Sequence, residues 1–555
     1  MTICIQYAQP TSGVTGTEIF GLDVAVNNML SAWFHYGRQE KFIIRPTDEA
    51  SYAHCRTLAQ GAGLDPGHRL LGLDPRYPAE TLSRIHCLVQ PDPLIGDLAW
   101  QRRQIPGAGY ALCGLIHTMS GERIARTVGE LCIAPTAAGD ALICPSHAIK
   151  AAVENLWAIY GDYLAHRFGS PCPCPVELPV IPLGVDCDKF AARTTPAQRA
   201  VQRKALNVHD DEIILLFLGR MSFATKAHPA PLFLAAEQAA RQSKHPIRLV
   251  MLGYFKPEMM AAQFKQLGAD LCSKVKLEFI ANDDPRFPDG LWAGADIFIS
   301  LVDNVQESFG LTPVEAMAAG LPAIISDWDG YRDSVRHGED GFVIPTIAPP
   351  VKTGLAIADR YFNRLDNYGE YLTAAAQSTA IDIPKAAQAI TALADDRELR
   401  ARFGAHGRRR AREIYDWRHI IAAYESLWTE LSKRRRAAPP PSKFPEQWQA
   451  AHPSYPNPYA MFASFPTAAL SPDTRLRFGG DLELMAALLK HEMNYFVPDL
   501  LLPKEELAAL AQKFTATATV GEVVVASPAA MRDKVWRSCG WLLKFGLCRI
   551  VATDA

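Results

Sequence analysis

The chain has 555 residues, about three to four times a typical domain, which points to two large domains and an additional unit. Its 57 Lys+Arg against 59 Asp+Glu give a formal charge of -2, which argues against a broadly basic nucleic-acid binder. Hydrophobic residues at 48% and charged residues at 21% exclude a largely disordered or collagenous chain.

In chain order, residues 3–7 read as a strand, followed by a loop with Gly13 and Gly16 and a helix from about Glu18 to Phe34. Further strands are expected at 42–45, 85–90, 111–117 and 141–145. Short apolar runs alternating with helical patterns imply a doubly wound parallel sheet. Val180-Ile181-Pro182-Leu183-Gly184-Val185-Asp186 reads as a turn closing this first unit, residues 1–200. A second alternating series fills 201–414, with strands at 213–218, 248–252, 276–280, 296–301, 323–326 and 342–344. The fold class is therefore α/β, with two Rossmann-like domains facing a cleft. From about Pro384 the pattern turns helical, and an amphipathic segment from Tyr415 leads into Lys433-Arg434-Arg435-Arg436.

Residues 437–475 form a Pro- and aromatic-rich linker, too aromatic to float free and so expected to lie against a domain surface. Residues 476–555 read as a small, mostly helical domain with helices at 482–491, 504–513 and 529–543 and a terminal strand, compatible with a winged helix. From Arg475 onward, 10 Lys/Arg face 9 Asp/Glu, so a protein partner suits this unit better than nucleic acid.

Twelve cysteines are too few for a disulfide scaffold, and the one-residue spacing of Cys172 and Cys174 does not match zinc pairs. They are expected to be reduced thiols. No apolar run approaches the ~20 residues that span a membrane. The N-terminus lacks the basic and apolar regions of a signal peptide, so a cytoplasmic location is expected. The basic runs Arg408-Arg409-Arg410 and Lys433–Arg436 offer peripheral contact with the inner membrane face as an addition to that location.

The most informative block is Glu307-Ser308-Phe309-Gly310-Leu311-Thr312-Pro313-Val314-Glu315-Ala316-Met317-Ala318-Ala319-Gly320. A strand ends just before it. Thr312 suits an N-cap, Pro313 the first helical position and Gly320 the C-terminal end. Such a helix start, at the carboxyl end of a parallel strand, offers free N–H groups and a positive dipole end to a diphosphate. Thr312 and Glu315 could also form a capping box, which alone would account for Glu315 but not for Glu307. Arg220 and Lys226 follow a buried strand. Asp327-Trp328-Asp329 spells an Asp-x-Asp metal motif but lies after the helix, so no metal site is expected there. No complete G-x-G-x-x-G and no G-x-x-x-x-G-K-[ST] occurs.

Two acids eight positions apart, with Phe-Gly after the first and Ala-Met-Ala-Ala-Gly-Leu-Pro after the second, resemble the retaining glycosyltransferases of family 4. Phe217-Leu218-Gly219-Arg220 with Lys226, the segment 181–186, Asp340-Gly341-Phe342-Val343-Ile344-Pro345 and Tyr415-Asp416-Trp417 follow in the same order as in that family. The resemblance covers roughly residues 1–434. It implies a GT-B fold, a crossover helix at about 415–434 returning to the first domain, and a nucleotide-sugar donor with an unknown acceptor. It further implies that Glu307 holds donor sugar hydroxyls, that Glu315 binds the ribose, and that Arg220 and Lys226 neutralise the diphosphate. By the same resemblance, N–H groups near Phe309, Gly310, Leu311 and Thr312 contact sugar and phosphates. Gly13 and Gly16 then form the N-terminal glycine loop, and His117 lies near the reacting centre. No cofactor or metal is implied. Two competing readings are a nucleotide-sugar 2-epimerase, which would epimerise free donor, and a non-catalytic nucleotide-sugar-binding scaffold, which would bind without turnover.

Overall fold

The computed structural model describes residues 1–9, 21–74, 82–105, 107–255, 259–438 and 450–551. They divide into two compact units, Met1–Lys443 and Phe444–Ala555.

The first unit holds two six-stranded parallel sheets. One comprises β1 (Ile3–Tyr7), β2 (Phe42–Pro46), β3 (Leu70–Gly72), β4 (Cys87–Gln90), β5 (Ala111–Leu115) and β6 (Ala141–Ile143), ordered β3-β2-β1-β4-β5-β6. The other comprises β7 (Ile213–Leu218), β8 (Ile247–Gly253), β9 (Lys276–Ala281), β10 (Ile297–Ser300), β11 (Ala323–Ser326) and β12 (Gly341–Ile344), ordered β12-β11-β10-β7-β8-β9. Both follow one winding plan, in which the chain runs outward from a central strand and then restarts on that strand's other side. The direction reverses between β1 and β4, and again between β7 and β10. Open α/β sheets bind ligands outside the carboxyl ends of their strands at such points. Because helices cover both faces, the central strands are apolar on both sides: Ile213 to Phe217 are all buried.

The expected strands are present, most of them a residue or more shorter or longer. β3 was not anticipated; it is a three-residue edge strand with two exposed residues, too short to show a period. The start of the first long helix, expected at Glu18, lies outside the described residues, and the helix Gly21–Tyr36 is seen.

The helix Trp417–Ala437 contributes Trp417, Ile420, Ile421, Tyr424, Trp428 and Leu431 to the core beneath the first sheet. Trp428 meets Trp33 edge-on, their rings 6.3 Å apart. The two chain crossings between the sheets are paired with one another: Val185 N–H donates to Tyr415 O at 2.8 Å, and Trp417 N–H to Val185 O at 3.1 Å. Arg408 and Arg410 stand in the last turn of the helix Arg397–Arg410. Arg408 donates to Ala319 O at 2.6 Å, closing the helix Leu311–Ala319, and Arg410 donates to Ser334 O at 3.0 Å. Arg435 is buried and Arg434 pairs with Glu177 at 2.5 Å, which leaves few cations of these runs for a membrane surface. No helix among the described residues is long and apolar enough to cross a membrane. The cysteines, Cys172 and Cys174 included, are free thiols.

The second unit has a central strand, Arg475–Phe478, antiparallel to both Ala518–Thr519 and Cys548–Ile550. Helices Leu482–Leu489, Lys504–Gln512 and Arg532–Lys544 pack on it, close to the expected positions. The winged-helix expectation fails here. A wing requires the last two strands to form a hairpin, and these two flank the first strand instead. Of the aromatic stretch before the central strand, Tyr455, Tyr459 and Phe465 are each at least 70% exposed, whereas Leu470 packs on the core of this unit and Pro472 O accepts from Gly521 N–H at 2.9 Å.

Beneath the first sheet, Asp140 is fully buried and accepts from Arg102 at 2.6 and 2.7 Å, from Leu112 N–H at 2.9 Å and from Ala137 N–H at 2.8 Å. Removing one partner of such a pair strands the other charge, at a cost of about 3–5 kcal/mol. Arg102→Met is expected to lower the melting temperature clearly, and adding Asp140→Asn to recover part of the loss, as read by scanning calorimetry.

Candidate active site

Arg220 and Lys226 lie in the segment after β7, and Glu307 in the segment after β10. β7 and β10 are sheet neighbours at the point of reversal, so the fold brings these distant residues together. Lys226 Nζ is 2.5 Å from Glu307 Oε2, with the two side chains only 16% and 14% exposed. Burial opposes the charge of Glu307, but Lys226 outweighs it and holds the carboxyl below its ordinary range. Burial likewise opposes the charge of Lys226, and Glu307 raises its ammonium above the usual value. Arg220 donates from Nη2 to Thr225 O and Gln306 Oε1, both at 3.2 Å, while its buried Nε has no partner. A cation with an unused buried donor is fitted to an anion.

The helix Leu311–Ala319 starts earlier than the capping-box reading requires. Gly310, at φ +81°, is its N-cap, and no side chain caps it. Thr312 is thus the second helical residue and Glu315 the fifth. The Glu315 carboxyl has no hydrogen-bond partner among the described residues, and burial pushes it up to about 7, against the pull of Lys226 and Lys189. The capping explanation for Glu315 therefore falls away. The N–H groups of Phe309, Gly310, Leu311 and Thr312 have no acceptor among the described residues. At a helix N-terminus such groups suit an anion. Gly320 closes the helix in the left-handed conformation, as expected (φ +82°).

A second loop, Asp329-Gly330-Tyr331, supports this one. A Cβ on Gly310 would fall 1.9 Å from the Tyr331 ring, and one on Gly330 would fall 2.5 Å from Ser308 O. Tyr331 OH is 2.9 Å from Ser300 Oγ, and Lys226 Nζ sits 6.0 Å from the ring centre. Sequence reading treated 327–329 only as a metal-motif coincidence. The Gly-Tyr following it was the available signal: a glycine where backbones touch and an aromatic beneath a cation. No group of three or more His, Cys, Asp or Glu able to hold a metal occurs among the described residues, and Asp327 pairs with Arg332 at 2.9 Å.

On the first-domain side, His117 follows β5. Its Nε2 is 2.8 Å from Pro91 O. A carbonyl only accepts, so Nε2 carries the proton, and in a neutral ring Nδ1 is the acceptor. Burial lowers the His117 pKa, which favours that neutral ring. Next to it, Thr118 Oγ1 donates to Gln306 O at 3.4 Å, and Ser146 Oγ donates to Ser308 O at 2.8 Å. The first domain thus grips both residues flanking Glu307, two contacts the sequence did not announce. Gly13 and Gly16 lie outside the described residues.

Residues 198–349 match the family model described as glycosyl transferases group 1. The chain carries a glycosyl transferases group 1 domain. The group 1 domain holds Arg220, Lys226, Glu307 and Glu315. Over 262 residues, 45% of the chain, the sequence is 29% identical to D-inositol 3-phosphate glycosyltransferase of Geodermatophilus obscurus, covering 53% of it. Over 187 residues, 34% of the chain, it is 30% identical to phosphatidyl-myo-inositol mannosyltransferase of Mycobacterium tuberculosis, covering 44% of it. The chain spans about half or less of the length of these curated relatives. The crystal structure of a glycosyltransferase from Rickettsia africae superposes with a TM-score of 0.50 at 14% identity, covering 78% of this chain and 98% of that one. That likeness concerns the fold: beside the group 1 domain, the first sheet completes a GT-B architecture.

The Glu315 carboxyl, raised to about 7 by burial, stabilises the fold fully below its unfolded pKa of ~4.3, and that contribution is lost as pH rises through 7. Above pH 7 its ionised form penalises the folded state. Glu315→Gln is expected to melt higher than the wild type at pH 8, with the gain shrinking at pH 5, as followed by thermal denaturation.

Proposed function

We propose that this chain is a retaining glycosyltransferase of the family 4 type, which moves a hexose-type sugar from a nucleotide-sugar donor to a hydroxyl-bearing acceptor. The observation that carries this reading is the pairing of Lys226 with Glu307 beside the unpartnered Arg220 Nε and four open N–H groups. In the reaction the anomeric carbon–oxygen bond to the diphosphate breaks, leaving negative charge on the diphosphate and positive charge on the sugar. Arg220, Lys226 and the helix N-terminus stand where the negative charge develops, and such preorganised groups are a large source of rate acceleration. The acceptor hydroxyl bonds to the anomeric carbon on the face the diphosphate leaves, and its proton passes to the leaving phosphate.

Lys226 links two events. A diphosphate drawing Lys226 toward itself loosens the hold on Glu307 Oε2, and the freed carboxylate accepts hydrogen bonds from sugar hydroxyls. Glu315 accepts from the ribose hydroxyls, which supply the partner it lacks in the ligand-free protein. His117, neutral and with Nδ1 as acceptor, takes a hydroxyl near the reacting carbon. The charge on the diphosphate is met by these protein groups without a resident metal, and the protein acts in the cytoplasm. The inositol-bearing acceptors in the names of the two relatives make inositol phosphates a sensible first acceptor panel. The second unit is a candidate partner-binding module.

The test is donor binding by calorimetry, followed by transfer and free-donor assays with UDP-, GDP- and ADP-sugars. Glu307→Gln is expected to lower turnover by about 10²–10³-fold, with the nucleoside diphosphate still bound. Arg220→Ala with Lys226→Ala is expected to weaken diphosphate binding far more than nucleoside binding, and Glu315→Gln to weaken both. Chelator is expected to leave activity unchanged. Epimerised free donor would replace the transferase reading with the epimerase, and donor binding without turnover would replace it with the scaffold.

A further inference from the structure

Beside Glu307 lies a second carboxyl that the proposed chemistry does not use. Asp329 stands at φ +46°, one of three non-glycine residues with positive φ among the described residues. Its carboxyl accepts from the N–H of its neighbour Gly330, while Oδ1 is buried and has no hydrogen-bond partner. The contact of Gly330 with the Ser308–Phe309 backbone and that of Tyr331 with Gly310 fix Asp329 against the loop carrying Glu307. The two carboxyls are near enough for their charges to interact. Burial first, then Glu307, push the Asp329 carboxyl up to about 8. The charged groups facing it are Glu307 from the loop after β10, with Lys226 paired beyond, and Arg332 and Asp333 from its own segment.

Structural roles do not account for this residue. Asp329 does not cap the short helix Tyr331–Ser334, which has no side-chain cap bond. Its neighbour Asp327 is engaged with Arg332. Native proteins seldom leave a buried polar atom unpaired, and a strained backbone persists where the site needs it.

We infer that Asp329 is a second sugar-recognising carboxyl, binding a hydroxyl of the transferred sugar beside the one held by Glu307. This rests on the donor-site reading above and deepens it. Two adjacent carboxyls select a neutral sugar with neighbouring free hydroxyls and disfavour a uronic acid, whose own carboxylate would face Glu307.

The experiment titrates wild type, Asp329→Gly and Asp329→Asn with UDP, UDP-glucose, UDP-glucuronate, GDP and GDP-mannose by calorimetry, with melting curves as a fold control. Glycine suits φ +46° without strain, so the Gly variant removes the carboxyl alone. It is expected to lose about tenfold affinity for the nucleotide sugar that wild type prefers, with the matching diphosphate changed less than about twofold. Asn, which keeps the shape and a hydrogen-bonding group, is expected to recover part of the loss. UDP-glucuronate is expected to bind wild type no more tightly than UDP does. Unchanged nucleotide-sugar affinity in the Gly variant, or equal loss of sugar nucleotide and diphosphate, overturns the inference while leaving the donor site standing. A wild type that binds none of the five ligands overturns the donor-site reading and this inference with it.

Discussion

Glu307 is a carboxylate held inside the molecule, and Lys226 keeps it charged there. Burial alone drives such a group toward its neutral form, and a cation at 2.5 Å reverses the balance. The architecture serves this contact. The residues are 81 positions apart in sequence, yet β7 and β10 are neighbours in the sheet, so the loops leaving their carboxyl ends converge. Gly310 and Gly330 let Tyr331 and the Ser308–Phe309 backbone close beneath the pair. The first domain then holds the carbonyls of Gln306 and Ser308, fixing the chain on either side of Glu307.

Two buried carboxylates elsewhere in the chain show what full satisfaction looks like. Asp140 has an arginine and two backbone N–H groups. Glu237 accepts from Ser273, Lys274 and Val275, and despite burial these bonds bring its pKa down to about 2. Both are structural, tying a helix or loop to a strand. Glu315 and Asp329 stand apart from them: each is buried enough to be raised well above the carboxylate range, Glu315 has no hydrogen-bond donor among the described residues, and Asp329 has only the N–H of its neighbour Gly330, with Oδ1 left unpartnered. One molecule applying both treatments distinguishes acids that serve the fold from acids that weaken it, and the second kind gathers around one loop.

Much of the fold was legible because its signals are local. Continuous apolar runs such as Ile213–Leu218 mark strands buried on both faces, and their alternation with helices implies parallel sheets. Gly320 was legible by its place at a helix end, as was the helix Trp417–Ala437 by its apolar stripe, whereas the acid pair drew its weight from the family resemblance. What escaped was set by tertiary contact. Thr312 looks like an N-cap in sequence, but the left-handed Gly310 starts the helix sooner. Arg408–Arg410 reads as a basic run open to a membrane surface, yet two of its three guanidinium groups close carbonyls. In the aromatic stretch after residue 450, Tyr455, Tyr459 and Phe465 are exposed, while Leu470 packs on the core of the second unit. The three-residue strand β3 and the antiparallel strand order of the second unit carry too little periodicity to be read.

The group 1 domain match ends at residue 349, and the chain departs from a plain doubly wound unit at the same place. A short antiparallel pair, Thr346–Ile347 with Ala380–Ile381, encloses two helices, Leu355–Phe362 and Tyr368–Ala376. This insert reaches the first domain: Tyr368 OH is 2.7 Å from Ser120 Oγ, and Arg364 forms a two-pronged bond with Glu122 at 2.7 and 3.0 Å. Ser120 and Glu122 follow closely on His117 and Thr118, so the insert ties down the same segment that touches Gln306. Exposed ion pairs such as Arg364–Glu122 contribute little stability singly. Their value here is positional, since each links the β5 loop to the domain carrying Glu307. The segment that carries His117 is therefore anchored at two points, by the loop of Glu307 on one side and by the insert on the other.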